Sequence, residues 1–314
     1  MTSSHLAFVF PGQGSQSVGM LAELAAAHGL VRQTFDEASA GAGVDLWALA
    51  QQGPEDQLNR TENTQPALLA ASVAVWRVWR EQGGVLPARL SGHSLGEYSA
   101  LVAAGALSLS DAAALVAERG RLMQAAVPAG VGAMAAIIGG DDAQIAQACA
   151  DVAGDDVVAP ANYNSPGQVV IAGHAAAVDR AIARLAELGV RKSVKLAVSV
   201  PSHCALMQDA AQRLAERMQA VAWSLPAIPV VQNADARVHD SIDAIRDALR
   251  RQLFQPVRWT ECVQALVAGG ATVALECGPG KVLAGLIKRI DKSLDARVLG
   301  TPADFDAALA QARS

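Results

Sequence analysis

The pentapeptide Gly92-His93-Ser94-Leu95-Gly96 has the form G-x-S-x-G and falls between an expected strand and an expected helix. Small residues on both sides allow a sharp turn that holds a serine hydroxyl out at a helix N-terminus. There the N–H of the next residue, Leu95, points at an oxyanion developing on an attacked carbonyl. The bare pattern also occurs in ordinary glycine-rich turns. The strand–turn–helix setting is what favours Ser94 as a nucleophile.

A serine nucleophile needs a base. The histidines are His5, His28, His93, His174, His203 and His239. His5 lies near the chain start, and His28 and His239 sit in polar, loop-like surroundings. His93 adjoins Ser94, but neighbours on a sharp turn point apart, so a structural hydrogen bond within the elbow is its expected role. His203, in Ser199-Val200-Pro201-Ser202-His203-Cys204, falls where a strand is expected to end and a helix to begin, a common place for a catalytic group. A base and a locally hydrogen-bonded histidine both fit that position. Cys204 beside it reads better as a buried, inert thiol, because adjacent helix residues do not face each other. No aspartate between Ser94 and His203 has a context that marks it as a third triad member.

Arg119 sits in an apolar helical pattern over residues 111–126. Its local context favours snorkelling, or pairing with Glu118 or Glu97. The alternative is a clamp, since a guanidinium can grip a carboxylate through two parallel hydrogen bonds. The loop Gly12-Gln13-Gly14-Ser15-Gln16 lacks both P-loop and dinucleotide-binding spacing. It can instead present an amide, such as that of Gln13, to an oxyanion. Glu276-Cys277-Gly278-Pro279-Gly280 reads as a strand end and a structural tight turn.

Positioning these groups calls for an α/β body. The first strand is expected over 6–10, stopped by Pro11-Gly12. Helical spacing fills most of 21–82 and is clearest over 67–80, with Pro66 at the helix start. A strand over about 88–92 leads into the elbow, and a later helix has Asp111 near its start. From Pro128 the character changes. Strand 132–138, helix 142–150, strands 157–162 and 168–173, helix 175–188 and strand 190–198 follow one another. Val178, Ile182, Leu185 and Leu188 share one face of helix 175–188. This βαββαβ order is the ferredoxin-like unit. Later strands are expected at 228–232, 272–276 and 297–300, each near a helix. The architecture expected is a helix-rich α/β domain with a parallel sheet, residues 1–127 and 199–314, interrupted by a ferredoxin-like α+β subdomain at 128–198.

Composition agrees with such a body. The 314 residues are 52% hydrophobic and 18% charged, enough for a large core and unlike a disordered chain. A net charge of -5 argues against a nucleic-acid binder. Cys149, Cys204, Cys262 and Cys277 form no C-x-x-C pair, so neither a zinc site nor a disulfide framework is expected. The apolar run at 6–10 is too short for a signal peptide, and 122–140 carries Pro128 and several glycines, which makes a poor membrane span. These features suit a cytoplasmic protein that engages no membrane.

Taken together, the motifs resemble the malonyl-CoA:acyl carrier protein transacylases of the dissociated bacterial fatty acid synthase. The residues that carry the resemblance are Phe10-Pro11-Gly12-Gln13-Gly14-Ser15-Gln16, Gly92-His93-Ser94-Leu95-Gly96-Glu97-Tyr98 and Glu118-Arg119-Gly120. Asn162-Tyr163-Asn164-Ser165-Pro166-Gly167-Gln168 and Val200-Pro201-Ser202-His203 extend it, with Gln252 and the Gly278-Pro279-Gly280 turn. They span nearly the whole chain in the family's order. Cys277 stands where the family more usually has an aliphatic residue.

The resemblance implies roles. Ser94 is the nucleophile and His203 its base, with the Gln252 backbone carbonyl orienting the imidazole in place of a triad acid. The backbone N–H groups of Gln13 and Leu95 form the oxyanion hole. Arg119 binds the malonyl carboxylate, and His93, Asn162 and Asn164 line the cleft. It further implies a hydrolase-like large domain with the active site between it and the insert. Transfer runs from malonyl-CoA to the phosphopantetheine of acyl carrier protein through a malonyl-serine, with ping-pong kinetics and no metal or cofactor. The enzyme is expected to be a monomer. An acidic carrier needs a basic docking patch, either Arg191, Lys192 and Lys195 or Lys281, Lys288, Arg289 and Lys292. Extender-unit selectivity would depend on cleft volume around Ser199, Val200, Ser202 and Met134. A discrete trans-acting acyltransferase of a polyketide synthase would share every motif. A serine esterase or thioesterase would share only the elbow and histidine, and an intact Ser94 and His203 argue against a silent binding module.

Overall fold

The computed structural model describes residues 2–197 and 200–312. Strand β1 (Thr2–Phe10) is followed by helices α1 (Ala22–Ala27), α2 (Gly29–Ala42), α3 (Leu46–Gln52), α4 (Glu55–Leu58) and α5 (Thr61–Glu81). Next come β2 (Leu86–Gly92), α6 (Gly96–Ala103) and α7 (Leu109–Ala126). A second unit contains β3 (Gly132–Ile138), α8 (Asp142–Ala153), β4 (Val158–Ser165), β5 (Gln168–His174), α9 (Ala175–Glu187) and β6 (Lys192–Lys195). A 3-10 turn (Ala205–Met207) leads to α10 (Gln208–Gln219) and β7 (Val230–Val231). The chain closes with α11 (Ile242–Phe254), α12 (Trp259–Ala268), β8 (Val273–Glu276), α13 (Val282–Ile290), β9 (Asp295–Val298) and α14 (Pro302–Ala312).

The larger sheet is parallel throughout, in the order β7-β2-β1-β8-β9. Its central strand β1 alternates between two layers, as the two-residue period of a strand requires. Leu6, Phe8 and Phe10 enter the larger core, where Phe8 meets Trp76 and Trp79 of α5 edge-on with ring centroids 5.3 and 5.4 Å away. Ala7 and Val9 face the other way, onto Trp259 and Val263 of α12 and Leu283 and Ile287 of α13. Both faces are covered, so β1 reads as a continuous apolar run. The smaller sheet is antiparallel, in the order β4-β5-β3-β6, with α8 and α9 packed on one face. That is the strand order of a ferredoxin-like unit.

Several elements depart from expectation: β4 continues to Ser165, β7 keeps only Val230–Val231 of the expected 228–232, β9 runs Asp295–Val298 rather than 297–300, and three others differ in packing or length. Helix α5 starts at Thr61, so Pro66 lies inside it. The proline costs one backbone bond, and close packing holds the extra turn: a Cβ on Gly120 of α7 would lie 2.5 Å from the Glu62 Cα. Leu188 caps α9 and is 39% exposed, whereas Ala177 and Ala181 join Val178 and Leu185 in the core. Strand β6 covers only 192–195, its pairing with β3 ending at Ala135↔Lys195. Val198 and Ser199 lie outside the described residues.

Candidate active site

The polar groups gather at the carboxyl ends of the parallel strands, where open α/β sheets bind ligands. Between β2 and α6 the chain turns so sharply that Ser94 sits at φ 51°, a region side chains disfavour. Close approach demands the flanking glycines. A Cβ on Gly96 would overlap the Phe10 carbonyl, and one on Gly12 would lie 2.6 Å from the His93 carbonyl oxygen. The elbow is tied from beneath by Asn233, just past β7. Its Oδ1 accepts from the Ser94 N–H at 2.8 Å, and its Nδ2 donates to the Gly92 carbonyl at 2.7 Å.

His203 also has positive φ, 61°. Its Nε2 is 2.8 Å from Ser94 Oγ, and its Nδ1 is 2.7 Å from the Gln252 backbone carbonyl. A carbonyl only accepts, so Nδ1 carries the proton and Nε2 is left to accept from the serine hydroxyl. Burial, then the Arg119 guanidinium, lower its pKa to about 3, against the opposing pull of the Gln252 carbonyl. The ring is therefore neutral at pH 7.

Arg119 is buried. Its Nη1 donates to Gln65 Oε1 at 2.8 Å, and its Nη2 donates to Gln252 Oε1 and to Ser94 Oγ, both at 3.1 Å. The guanidinium lies 5.7 Å from the Tyr98 ring centre, and among the described residues its Nε has no acceptor. The pairing its sequence context favoured does not occur. Glu118 bonds Arg121 at 2.9 Å on the surface, and the Glu97 carboxylate is taken by amides. Among the described residues no carboxylate lies within ion-pair distance of Arg119.

The other candidates converge on the same place. The His93 side chain does not bond within the elbow. Its Nε2 reaches Asn164 Oδ1 of β4 at 2.8 Å, and its ring packs 5.5 Å from Trp259, because the turn throws it away from Ser94. Asn162 and Asn164 are two apart on β4 and both face the cleft, where Asn162 Oδ1 has no partner among the described residues. The Gln13 and Leu95 amides also border the cleft, and among the described residues neither has an acceptor. Cys204 is buried with its thiol donating to the Pro201 carbonyl, and burial raises its pKa to about 11. The cavity has a volume of about 220 Å³. Met134, Val200 and Ser202 line it, whereas Ser199 lies outside the described residues. Its far wall is α13, whose first amides, Leu283 and Ala284, donate to the buried Glu276 carboxylate at 3.1 and 2.8 Å. The Gly-Pro-Gly turn thus sets a wall of the site.

A strained serine, a tautomer-fixed histidine and two free amides form an acyl-transfer constellation. Residues 7–304 match the family described as the acyl transferase domain. The chain belongs to that family. The malonyl CoA-acyl carrier protein transacylase of Salmonella typhimurium is 58% identical to this acyltransferase over 308 residues, spanning 98% of this chain and 100% of that protein. The Bacillus subtilis protein of the same name is 42% identical, spanning 98% of this chain and 96% of that one. The crystal structure of malonyl-CoA:acyl carrier protein transacylase from Xanthomonas oryzae pv. oryzae matches with a TM-score of 0.98 at 68% identity, covering 99% of each chain. A malonyl-transacylase in complex with a type II polyketide synthase acyl carrier protein matches with a TM-score of 0.96 at 54% identity, covering 98% of this chain and 99% of that one.

Four groups of the acyltransferase site escape motif reading: Gln65, Glu97, Asn233 and the Gln252 side chain. Gln65 lies in the helical turn ahead of Pro66, the stretch expected to precede α5. Asn233 follows the end of β7, and that position at a parallel strand's carboxyl end is the one signal that could have marked it. Glu97 follows the elbow directly and reads as an ordinary acidic residue in a helix first turn.

Proposed function

We propose that this acyltransferase moves the malonyl group of malonyl-CoA to the phosphopantetheine thiol of acyl carrier protein, supplying fatty acid elongation. Arg119 carries the reading: a buried guanidinium without a carboxylate partner, 3.1 Å from the Ser94 hydroxyl. An acyl group ending in a carboxylate supplies the missing charge, and a neutral one leaves the cation unpaired at high cost. The names of the relatives support the same substrate.

Ser94 Oγ attacks the thioester carbonyl as His203 Nε2 takes the hydroxyl proton. The oxyanion sits between the Gln13 and Leu95 amides, and the Gln252 carbonyl stabilises the imidazolium. Collapse expels the coenzyme A thiolate, which takes the proton from Nε2 and leaves a malonyl-Ser94 ester. The carrier thiol then gives its proton to Nε2 and attacks that ester. The second collapse returns the proton to Ser94 Oγ and frees malonyl-carrier. No electrons change hands, so the exchange needs no redox cofactor, and the amides do the work a metal would do at the oxyanion. His93, Asn162 and Asn164 shape the cleft around the acyl chain. A seated malonyl carboxylate offsets the Arg119 charge, so the base strengthens when the correct acyl group arrives.

Four buried free thiols support a reducing, cytoplasmic setting. No described helix is long and apolar enough to cross a membrane. For carrier docking, Lys281, Lys288 and Lys292 are exposed beside α13 and carry no ion pair among the described residues. Lys195 is paired with Asp179 at 2.5 Å, and Arg289 donates to Gln168 at 2.7 Å, leaving Arg191 and Lys192 on the other patch. One observation favours a second acceptor: the relative solved with a polyketide synthase carrier is 54% identical. A panel of both carrier types separates the two.

Intact mass after mixing with malonyl-CoA alone tests the reading. One malonyl adduct on the wild type and none on Ser94→Ala, discharged by holo acyl carrier protein, is the expected result. Steady release of coenzyme A without an adduct would indicate a hydrolase and overturn it.

A further inference from the structure

Beneath the elbow lies a cluster of polar side chains that no step of the transfer uses directly. Glu97, Gln232, Asn233 and Gln252 are buried in an otherwise apolar interior yet bonded to one another. Apolar residues of similar volume would serve stability as well.

The geometry points to Glu97 as a positioning residue whose carboxylate fixes two amides, one holding the nucleophile and the other holding Arg119. This rests on the malonyl-transfer reading. An ionised carboxylate only accepts. Three donors converge on it: Gln232 Nε2 at 2.9 Å, the Asn233 N–H at 2.8 Å and Gln252 Nε2 at 3.1 Å. Gln252 must therefore turn its NH2 toward Glu97 and the Ser94 carbonyl, the latter at 2.9 Å. Its Oε1 is then left facing the Arg119 guanidinium. Turned over, the amide would set N–H against guanidinium N–H, and oxygen against both the Ser94 carbonyl and Glu97. The second branch runs through Asn233, whose backbone is held by Glu97 and whose side chain holds the Ser94 N–H. Nucleophile and clamp share one anchor.

Glu97→Gln keeps the size but brings a donor of its own to a point where three donors already meet. One of them loses its acceptor, and Gln252 is free to turn over. Malonyl-Ser94 formation, followed by rapid quench and intact mass, should slow about tenfold to a hundredfold. The preference for malonyl-CoA over acetyl-CoA should narrow, and Glu97→Asp should recover part of both. Two more variants separate the branches. Asn233→Ala should slow malonyl and acetyl transfer alike. Gln252→Leu, which keeps the backbone carbonyl on His203, should slow malonyl transfer more. A merely structural cluster would lower the melting temperature and leave the malonyl-to-acetyl ratio where it was. Wild-type rate and ratio in Glu97→Gln overturn the inference. Should that variant not fold, equal effects of Asn233→Ala and Gln252→Leu on the ratio overturn it. A wild type that forms no malonyl-serine refutes the transfer reading instead, so the two failures are distinguishable.

Discussion

Among the described residues Arg119 is the one buried cation beside the proposed nucleophile, and Arg119→Ala removes it. Three N–H groups of the guanidinium are engaged by Gln65, Gln252 and Ser94, and an incoming carboxylate can meet the cleft side of the cation with up to two charge-assisted hydrogen bonds, one of them through the N–H that Ser94 now holds. A hydrogen bond to a charged group contributes about 1.5–3 kcal/mol, so two on a malonyl carboxylate contribute about 3–6 kcal/mol. At about 1.4 kcal/mol per tenfold, kcat/KM for malonyl-CoA should fall about 10²- to 10⁴-fold. Acetyl-CoA has no carboxylate and loses none of this. Removing the cation also lifts the second-largest influence holding His203 basicity down, which favours acetyl transfer. Gln65 and Gln252 lose a donor in the variant, so its melting temperature should drop and must be checked first. Arg119→Lys should fall between, since it keeps the charge without the fork. Competition between malonyl- and acetyl-CoA, read as the ratio of acyl-serine masses, measures the effect directly. Equal losses with both substrates would refute the clamp.

The pH profile of malonyl-Ser94 formation should show a limb near pH 7. Glu97, raised to about 7 chiefly by burial, positions the site as a carboxylate, so the rate falls as pH drops through that value, and Glu97→Gln should lack the limb. The groups that bear on its charge are Asp235, Arg119, Tyr98 and Cys262, and of these the Tyr98 and Cys262 pKa values lie far above the range. His203 should add no second limb until pH approaches about 3. Its stability effect has the opposite sign to that of Glu97. As pH falls from 6.5 toward 3 the unfolded chain protonates this histidine and the folded one does not, so stability is lost. As pH falls from 7 to 4.5 folded Glu97 takes a proton that the unfolded chain does not, so stability is gained. Urea unfolding of His203→Gln and Glu97→Gln against wild type across this range checks both signs. Lys281→Glu with Lys288→Glu should raise the carrier-protein KM severalfold at constant acylation rate, and an unchanged KM would refute docking beside α13.

Local pattern carried most of the scaffold. An unbroken apolar run stopped by Pro11-Gly12 can only be a buried strand end, and strand β1 sits at the centre of the sheet. The alternation after Pro128 likewise gave the second sheet its strand order, because each element repeats its own period. Boundaries went astray where tertiary packing overrode propensity, as at Pro66, where the glycine at 120 lets two helices close up. The polar anchors were illegible for another reason. Asn233 meets Ser94, and Gln252 meets Glu97, across more than a hundred residues of chain. An amide that will hold a nucleophile looks, in sequence, like any other amide. Arg119 shows the same limit: Glu118 and Glu97 suggested themselves as partners, and only the fold shows that among the described residues no carboxylate reaches it.

Ser94 and His203 are two of only four described non-glycine residues held at positive φ. A side chain there costs about 1 kcal/mol or more in backbone free energy that glycine would not incur. The proposed reactive pair thus sits on backbone that side chains disfavour. For a duplicated copy released from selection, glycine at either position is a downhill step in backbone conformation and a complete loss of chemistry. Decay toward a sturdy, inert relative is open to this fold at the very residues proposed to carry its activity, and on that reading an active descendant keeps them because selection for transfer opposes that drift.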